Sequence, residues 1–385
     1  MKILYLQYTN PAGYPPLEHS SRILADLGWD VLFLGVGAIG TKNIRFPDHP
    51  RITVRQMPSC GPGWRQKVHF FQYFFWAVWT TIRFRPHWIY ASDMFSGPAA
   101  VVASMLGPRL LYHEHDSPAT QAEQSAFIRI CLWIRGLCAR KATLCVLPNK
   151  TRATVFTEQT RTCKPVYVVW NCPALSEVQS ERKDTASAQQ VRLFYHGSIV
   201  PERVPLTIIH AIARLPERLS LTIAGYETVG SKGHIQTMRE LAEQLNVGAQ
   251  FTYLGTIPTR EGLLAECGQC NIGLGLLCGL STDDINMSAM TGASNKPFDY
   301  LSCGLPLLVS NLPDWREMFV DSGFAIACNP LDAESIAGAI RQFLQDPARI
   351  TAMGEAGRKQ ILDSWNYDNQ FRPIREILIS SSSRT

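Results

Sequence analysis

The stretch Asn295–Pro306 reads NKPFDYLSCGLP and runs directly into the apolar segment LLVSN at 307–311. It places the acidic residue Asp299 within the opening turns of a predicted helix that stops on Cys-Gly-Leu-Pro, with a strand following at once. A helix N-terminus offers free N–H groups and the positive end of a dipole, while a carboxylate one or two turns in can accept bonds from vicinal hydroxyls. Phosphate and ribose could be held together by such a segment, which reads as a grip for a nucleoside diphosphate.

Outward from this segment, apolar runs of strand length alternate with helical patterns from end to end. That is the pattern of an α/β chain with parallel sheets covered on both faces. In the first half, strands are expected at 2–7, 31–36, 52–57, 88–92, 109–114, 143–148 and 166–170. The texture changes at 173–190, PALSEVQSERKDTASAQQ, which is polar and without an apolar period and reads as a linker. A strand resumes at 191–197, a helix is expected from about Glu202, and the alternation continues through LTIAG, FTYLG, NIGLGLL, PLLVSN and FAIA. The expected domains are 1–172, a linker at 173–190, a second domain at 191–365 and a helical C-terminal segment at 366–385. Two doubly wound, Rossmann-like domains predict a cleft lined by the carboxyl ends of their strands.

With 385 residues, 46% of them hydrophobic and 18% charged, the chain suits two globular domains rather than one core. No signal peptide is apparent at the N-terminus, and no apolar run is long enough to span a bilayer. Eleven cysteines without a disulfide-framework spacing fit a reducing, cytoplasmic compartment. Cys267 and Cys270 form a lone CxxC with no second pair, and Cys131, Cys138 and Cys145 recur at heptad spacing; both sets read as buried thiols. Residues 1–180 hold 19 Lys and Arg against 10 Asp and Glu, whereas 181–385 hold 18 against 22. The basic first half should face something anionic.

After the strand at 191–196 comes HGSIVPERVP, a loop whose N–H groups and Arg203 are placed to bind phosphate, with Lys296 able to add a second charge. The loop TNPAGYPP breaks the first strand where a ligand could approach Asn10 and Gly13. The cluster YHEHDSP sets His113, Glu114, His115 and Asp116 at a strand end. HEH without a later His/Cys set is too few ligands for a metal, so no metal is expected. Asp283 and Asp284 could supply hydroxyl contacts, though loop acids are more often solvated.

Residues 64–85 carry eight aromatic residues between Trp64 and Trp79, with Arg65 and Lys67 before the run and Arg83 and Arg85 after it. The uncharged span, Val68 to Ile82, is too short to cross a bilayer but suits its interface, where Trp and Tyr belong and cations meet anionic head groups. A second basic segment, FIRICLWIRGLCARK, adds Arg129, Arg135, Arg140 and Lys141. The competing reading is ordinary packing on the sheet.

The segment NKPFDYLSCGLP resembles the nucleotide-sugar motif of family 4 glycosyltransferases of the GT-B fold, which often reads N-K-L-F-E-Y-L-A-C-G-x-P. The resemblance implies two Rossmann-like domains facing across a cleft and a ribose-binding role for Asp299, in place of the family's glutamate. It implies donor contacts for Asn295 and Lys296. The family's loop G-R-L-x-x-x-K-G aligns with Gly197, puts Ser198 at the arginine position and Arg203 at the lysine position, and leaves one cation missing. His115, with Asp116 beside it, falls where the family's histidine lines the sugar side. The family's E-x7-E pair would need an acid at Thr291. His196 and Asn171 resemble family positions near the cleft, Asn171 most simply as a turn residue.

The resemblance further implies transfer of a sugar from a nucleoside-diphosphate sugar to a hydroxyl acceptor, with retention and without a metal or other cofactor. The acceptor would be a lipid-linked glycan or another saccharide, bound by the first domain. The C-terminal segment would cross back to that domain. The expected location is the cytoplasmic face of a membrane, with no nucleic acid as partner. Two alternatives remain open: a nucleotide-sugar epimerase of the same architecture, and a degenerate non-catalytic subunit, the latter motivated by Ser198 and Thr291. A nicotinamide-dependent oxidoreductase is disfavoured, because neither QYTNPAG nor FYHGSIVP supplies G-x-G-x-x-G.

Overall fold

The computed structural model describes residues 1–38, 40–61, 63–118, 125–180, 190–216, 218–278 and 285–380. The chain divides into two compact units: Met1–Asn171 with Thr282–Ala293 and Tyr367–Thr385, and Cys172–Ser281 with Ser294–Asn366.

The first unit runs β1 (Lys2–Gln7), α1 (Pro15–Asp26), β2 (Asp30–Val36), β3 (Ile52–Met57), α2 (Trp64–Phe84), β4 (Trp88–Ser92), α3 (Asp93–Ser104), β5 (Arg109–His113), α4 (Ala126–Lys141), β6 (Leu144–Leu147), α5 (Lys150–Thr160) and β7 (Val166–Val168). All the strand pairs are parallel, in the order β3-β2-β1-β4-β5-β6-β7. β4 is buried at every position because both faces of a central parallel strand are covered. β3 alternates half-buried and exposed residues over its first four positions, as an edge strand should. The strand order reverses between β1 and β4, so the carboxyl ends of those two strands flank the place where doubly wound sheets bind ligands.

The second unit runs β8 (Val191–Ile199), α6 (Thr207–Ile212), β9 (Leu219–Glu227), α7 (His234–Gln244), β10 (Phe251–Gly255), α8 (Arg260–Gly268) and β11 (Ile272–Gly275). After α9 (Ile285–Ser288), which lies in the first unit, it continues with α10 (Lys296–Ser302), β12 (Leu307–Ser310), α11 (Pro313–Trp315), β13 (Ala325–Cys328), α12 (Ala333–Gln345) and α13 (Pro347–Asp363). Its sheet order is β10-β9-β8-β11-β12-β13, again parallel, with the reversal between β8 and β11. Ile208, Ile209, Leu221, Ile223, Ile336 and Ile340 belong to the core cluster over one face of this sheet. The last helix, α14 (Tyr367–Ser380), belongs to the first unit, where it contacts α1 and sets the Tyr367 ring 5.1 Å from that of His19.

Three sequence expectations need correction. The helix expected from Glu202 begins at Thr207, because Pro205 disfavours helical geometry in the residue before it and residues 201–204 form turns instead. The first part of the expected linker is fixed to the second unit: Gln179 donates its backbone N–H to the Ser302 carbonyl and its side-chain amide to that of Leu264. Residues 181–189 lie outside the described part. The segment 285–293, assigned by sequence to the second domain, joins the first unit through bonds from Asn286 to Ser117 and from Asn171 to Ala293.

Candidate functional site

In the second unit, β8 ends on His196-Gly197-Ser198-Ile199. Gly197 has φ +111°, and a Cβ there would stand 2.9 Å from Cε of Lys296. On β9, a Cβ at Gly225 would stand 1.9 Å from the Gly197 carbonyl oxygen. Glycine at both positions lets the two strands approach and lets the Lys296 side chain lie along the backbone. The Lys296 ammonium lies 5.8 Å from the Tyr195 ring centroid. Arg203 donates to Ser198 Oγ at 2.5 Å and has no acidic partner among the described residues. Gly197, Ser198, Arg203 and Lys296, named separately from sequence, thus share the carboxyl end of β8.

Asp299 stands behind them and is completely buried. Its Oδ1 accepts from Arg260 Nη2 at 2.6 Å; its Oδ2 accepts from Asn295 Nδ2 at 2.9 Å and from Arg260 Nη1 at 3.3 Å. The same guanidinium donates to Glu177, from Nε at 2.5 Å and from Nη2 at 2.9 Å. Burial disfavours the charge on Arg260, but Asp299 and Glu177 outweigh it and hold the guanidinium more firmly protonated than usual. His196 Nε2 is 3.4 Å from Asp299 Oδ2. Its pKa is pushed well below the ordinary histidine value by burial, then by Lys296 and Arg260, so this imidazole is neutral. The Asp299 carboxylate expected to meet ribose is therefore already bonded on both oxygens. Sequence reading missed Arg260 and Glu177, since neither position carries a pattern that announces a partner 39 or 83 residues away.

In the first unit, Gln7, Ser92 and His113 end β1, β4 and β5 and are adjacent in register. All three are buried. Gln7 Oε1, Ser92 Oγ, His113 Nε2 and both ring nitrogens of His115 have no hydrogen-bond partner among the described residues. Five such atoms in one place call for polar partners from outside the fold, because an unmatched buried polar group is costly. The two imidazoles lie 3.9 Å apart, with the Tyr90 hydroxyl hydrogen-bonded to Nδ1 of His113. Burial pushes the His115 pKa down to about 3, and burial followed by the charge of His115 keeps that of His113 well below its usual value. Both rings are neutral at ordinary pH.

Asp93 opens α3 with φ 60°, a left-handed conformation that is uncommon for a residue with a side chain. Its Oδ1 accepts from the His115 backbone N–H at 2.8 Å and its Oδ2 from Gln7 Nε2 at 3.4 Å. Burial, then the neighbouring Asp116, pushes its pKa up to about 7 against the pull of those two donors. Strain and a perturbed carboxyl at a strand end are marks of a functional position. The sequence reading passed over it.

Asp116 has a side chain 72% exposed and lies 3.8 Å from Arg152, away from the inner cluster. Glu114 points the other way, into a buried fork with Arg135 at 2.5 and 2.7 Å. Asn10 caps the turn after β1, accepting from Ala12 N–H and donating to the Thr41 carbonyl. A Cβ at Gly13 would meet only Thr41 Cγ2 at 3.5 Å, so packing does not demand glycine there. Thr291 sits half-buried in the first unit and not with Asp299. Asp283 and Asp284 lie outside the described residues. Among the described residues no group of three or more His, Cys, Asp or Glu is arranged to hold a metal.

On α2, the residues Trp64, Val68, Phe71, Phe75, Trp79 and Ile82 recur at steps of three and four and are all exposed, Phe75 at 67%. Phe70, Tyr73 and Ala77 face the sheet instead. Ile130 and Trp133 of α4 are likewise exposed, and Phe127 of α4 meets Phe70 of α2 edge-on at 5.1 Å. Arg65 and Arg83 lie over Trp64 and Trp79. Among the described residues no helix is long and apolar enough to cross a membrane.

Two family models match: glycosyl transferases group 1 over residues 177–360, and the glycosyl transferase 4-like domain over 17–162. A GDP-mannose-dependent alpha-(1-6)-phosphatidylinositol monomannoside mannosyltransferase of Mycolicibacterium smegmatis is 24% identical over 185 residues, 47% of this chain and 45% of that relative. The chain thus spans about half the length of the curated relatives it matches. Among solved structures, Anabaena Alr3699/HepE in complex with UDP and glucose has TM-score 0.71 at 15% identity, covering 99% of this chain and 100% of that one. A sucrose-phosphate synthase from Thermosynechococcus elongatus has TM-score 0.69 at 15% identity, with 100% of both chains covered. The two family models, matched in tandem on two doubly wound parallel-sheet units, place the chain in family 4 of the glycosyltransferases, with the GT-B fold.

Proposed function

We propose that this protein moves a sugar, of the hexosyl type, from a nucleoside-diphosphate sugar to a hydroxyl of a lipid-linked glycan, with retention of configuration and without a metal. The observation that carries this reading is the meeting of Arg203 and Lys296 at Gly197, where two cations stand at the carboxyl end of β8. When the bond between the sugar and the diphosphate breaks, its electron pair goes to the leaving phosphate oxygen, and fixed cations stabilise the charge that builds there. The acceptor oxygen forms the new bond to the anomeric carbon, and its proton passes to the departing phosphate. Mg²⁺ would be superfluous if the two side chains supply the positive charge.

Asp299 serves this site by holding Asn295 and the first turn of α10, and with them Lys296. A ribose hydroxyl could share an oxygen already bonded to Arg260, since each carboxylate oxygen has a second lone pair, once the atoms now covering it move aside. In the first unit, the neutral His115 ring offers a hydrogen bond to a sugar hydroxyl, and the ionised Asp93 accepts one from the acceptor hydroxyl. The mannosyltransferase relative, whose name specifies a GDP-sugar donor and a phosphatidylinositol-based acceptor, supports a lipid acceptor here.

The exposed stripe on α2, with Arg65, Lys67, Arg83 and Arg85 at its ends, supports docking on an anionic membrane, where buried apolar area and basic residues act together. Eleven cysteines free of disulfides support the cytoplasmic face.

The deciding experiment is a thermal-shift screen with UDP-, GDP-, ADP- and dTDP-sugars, followed by transfer to a lipid-linked glycan with and without EDTA and NMR assignment of the product's anomeric carbon. Stabilisation by one donor and transfer with the donor's configuration in EDTA are expected. Donor turnover without acceptor would indicate an epimerase, and binding without turnover a non-catalytic subunit. Flotation with anionic liposomes tests docking: Phe71→Ser with Phe75→Ser should release the protein, and retained flotation would refute the interface.

A further inference from the structure

On the other side of the first sheet from α2 lies a cavity of about 740 Å³, the size of a small-molecule site, and no step of the transfer uses it. Its floor is the edge strand β3, through Ile52 and Val54. These pair in register with Val31 and Phe33, whereas α2 packs against the alternate residues Leu32 and Leu34. Residues 42–50, between β2 and β3, fold over the floor, with Ile44 and Phe46 as walls and the Phe46 ring 4.8 Å from that of Phe33.

The rim is charged in a selective way. His49 on the rim, and Arg51, which does not line the cavity, are matched by Asp26 and Asp30 at 3.1 and 2.9 Å. Lys42 and Arg45, which line the cavity, have no acidic partner among the described residues. One acid, Asp48, shares the rim with those two cations and His49. At one end the lining reaches Asn10 and Gln56, joined by a 2.8 Å bond, so an occupant would touch the turn that follows β1.

We propose that this cavity is a binding site for a small water-borne anion with an apolar, ring-sized body, of the class of an aryl phosphate monoester. Lys42 and Arg45 take the anionic group, and Phe46, Ile52 and Val54 enclose the ring. A lipid is the poorer match, because the apolar stripe that would meet a membrane lies on the opposite face of the sheet.

The proposal is tested on the full chain by calorimetric titration with 1-naphthyl phosphate. Saturable binding is expected, weakened at least about tenfold by Lys42→Gln with Arg45→Gln and likewise by Val54→Trp, which raises a bulky ring from the cavity floor where the aryl group would lie. Because the two cations are exposed, their removal leaves the fold intact, and far-ultraviolet circular dichroism checks this. Lys296→Ala in the second unit should leave the affinity unchanged. No saturable binding, or equal affinity in the Lys42/Arg45 variant, would overturn the proposal. So would a loss that follows Lys296, since the probe would then be reading the donor site. No sugar transfer is measured, so the result stands apart from the transferase reading.

Discussion

At the carboxyl end of β8 the carboxylate of Asp299 is bonded on both oxygens from within, by Arg260 and Asn295, and is closed from solvent, with His196 Nε2 3.4 Å away. At the carboxyl ends of β1, β4 and β5 the first unit leaves five buried polar atoms without a partner among the described residues, around a half-buried Asp93. The topology that places polar side chains at a sheet's switch point is common to both units. What differs is where their partners come from. Internal pairing closes the Asp299 carboxylate in the second unit, leaving only the neighbouring His196 Nε2 unmatched beside it among the described residues, while on the proposed function the groups of the first would be met by hydroxyls of a ligand.

The largest expected effect tests the closed side. Arg260→Met leaves the Asp299 and Glu177 carboxylates buried without a counter-charge, which should cost about 3–5 kcal/mol. Urea unfolding measures it, and adding Asp299→Asn should recover part of the loss. A change below about 1 kcal/mol would mean that water already screens the cluster, and the contrast with the first unit would dissolve.

Gly197→Ala comes next. Its methyl would need a backbone conformation hostile to side chains and would press on Lys296, so about 1–3 kcal/mol of strain is expected, with weaker donor binding in a thermal-shift titration. Unchanged donor affinity would remove Lys296 from the site.

Much of this was legible in the sequence. Strand positions followed from unbroken apolar runs, because a parallel strand buried on both faces has no alternative pattern to offer. The loop HGSIVPER and the segment NKPFD announced their cations directly. Arg260 was invisible because its partners, Glu177 and Asp299, come together only in the folded unit, and a helix-start arginine normally reads as solvated. Asp93 was missed for a different reason: its character comes from a left-handed backbone and from the nearness of Asp116, neither of which a spacing reveals. Asp116 looked like the stronger candidate because it adjoins His115 in sequence, yet the chain turns its side chain outward.

Asp93→Asn probes the open side more gently. The folded-state pKa of Asp93 stands at about 7, above its ordinary 3.8, so between those values the native state binds more protons than the unfolded one. Its contribution to stability is therefore complete below about 4 and is lost as pH rises through 7. The variant should flatten that slope in unfolding experiments between pH 4 and 8 and raise the acceptor KM more than the donor KM. A slope equal to the parent's would mean that water reaches this carboxyl freely.

The smallest effect is the most discriminating. Asp116→Ala removes an exposed side chain, so stability should stay within about 0.5 kcal/mol of the parent. If Asp116 were itself the acid serving the reaction, turnover would collapse at every pH. If it acts only through its charge, its removal takes away a like-charge neighbour that raises Asp93, and the Asp93 pKa must fall from about 7. The pH profile of kcat/KM should then keep its height and move its acidic limb to lower pH, a displacement that Asp116→Asn should reproduce and Asp116→Glu should not. A collapse in height without displacement would return the catalytic role to Asp116 and make Asp93 a strained structural residue.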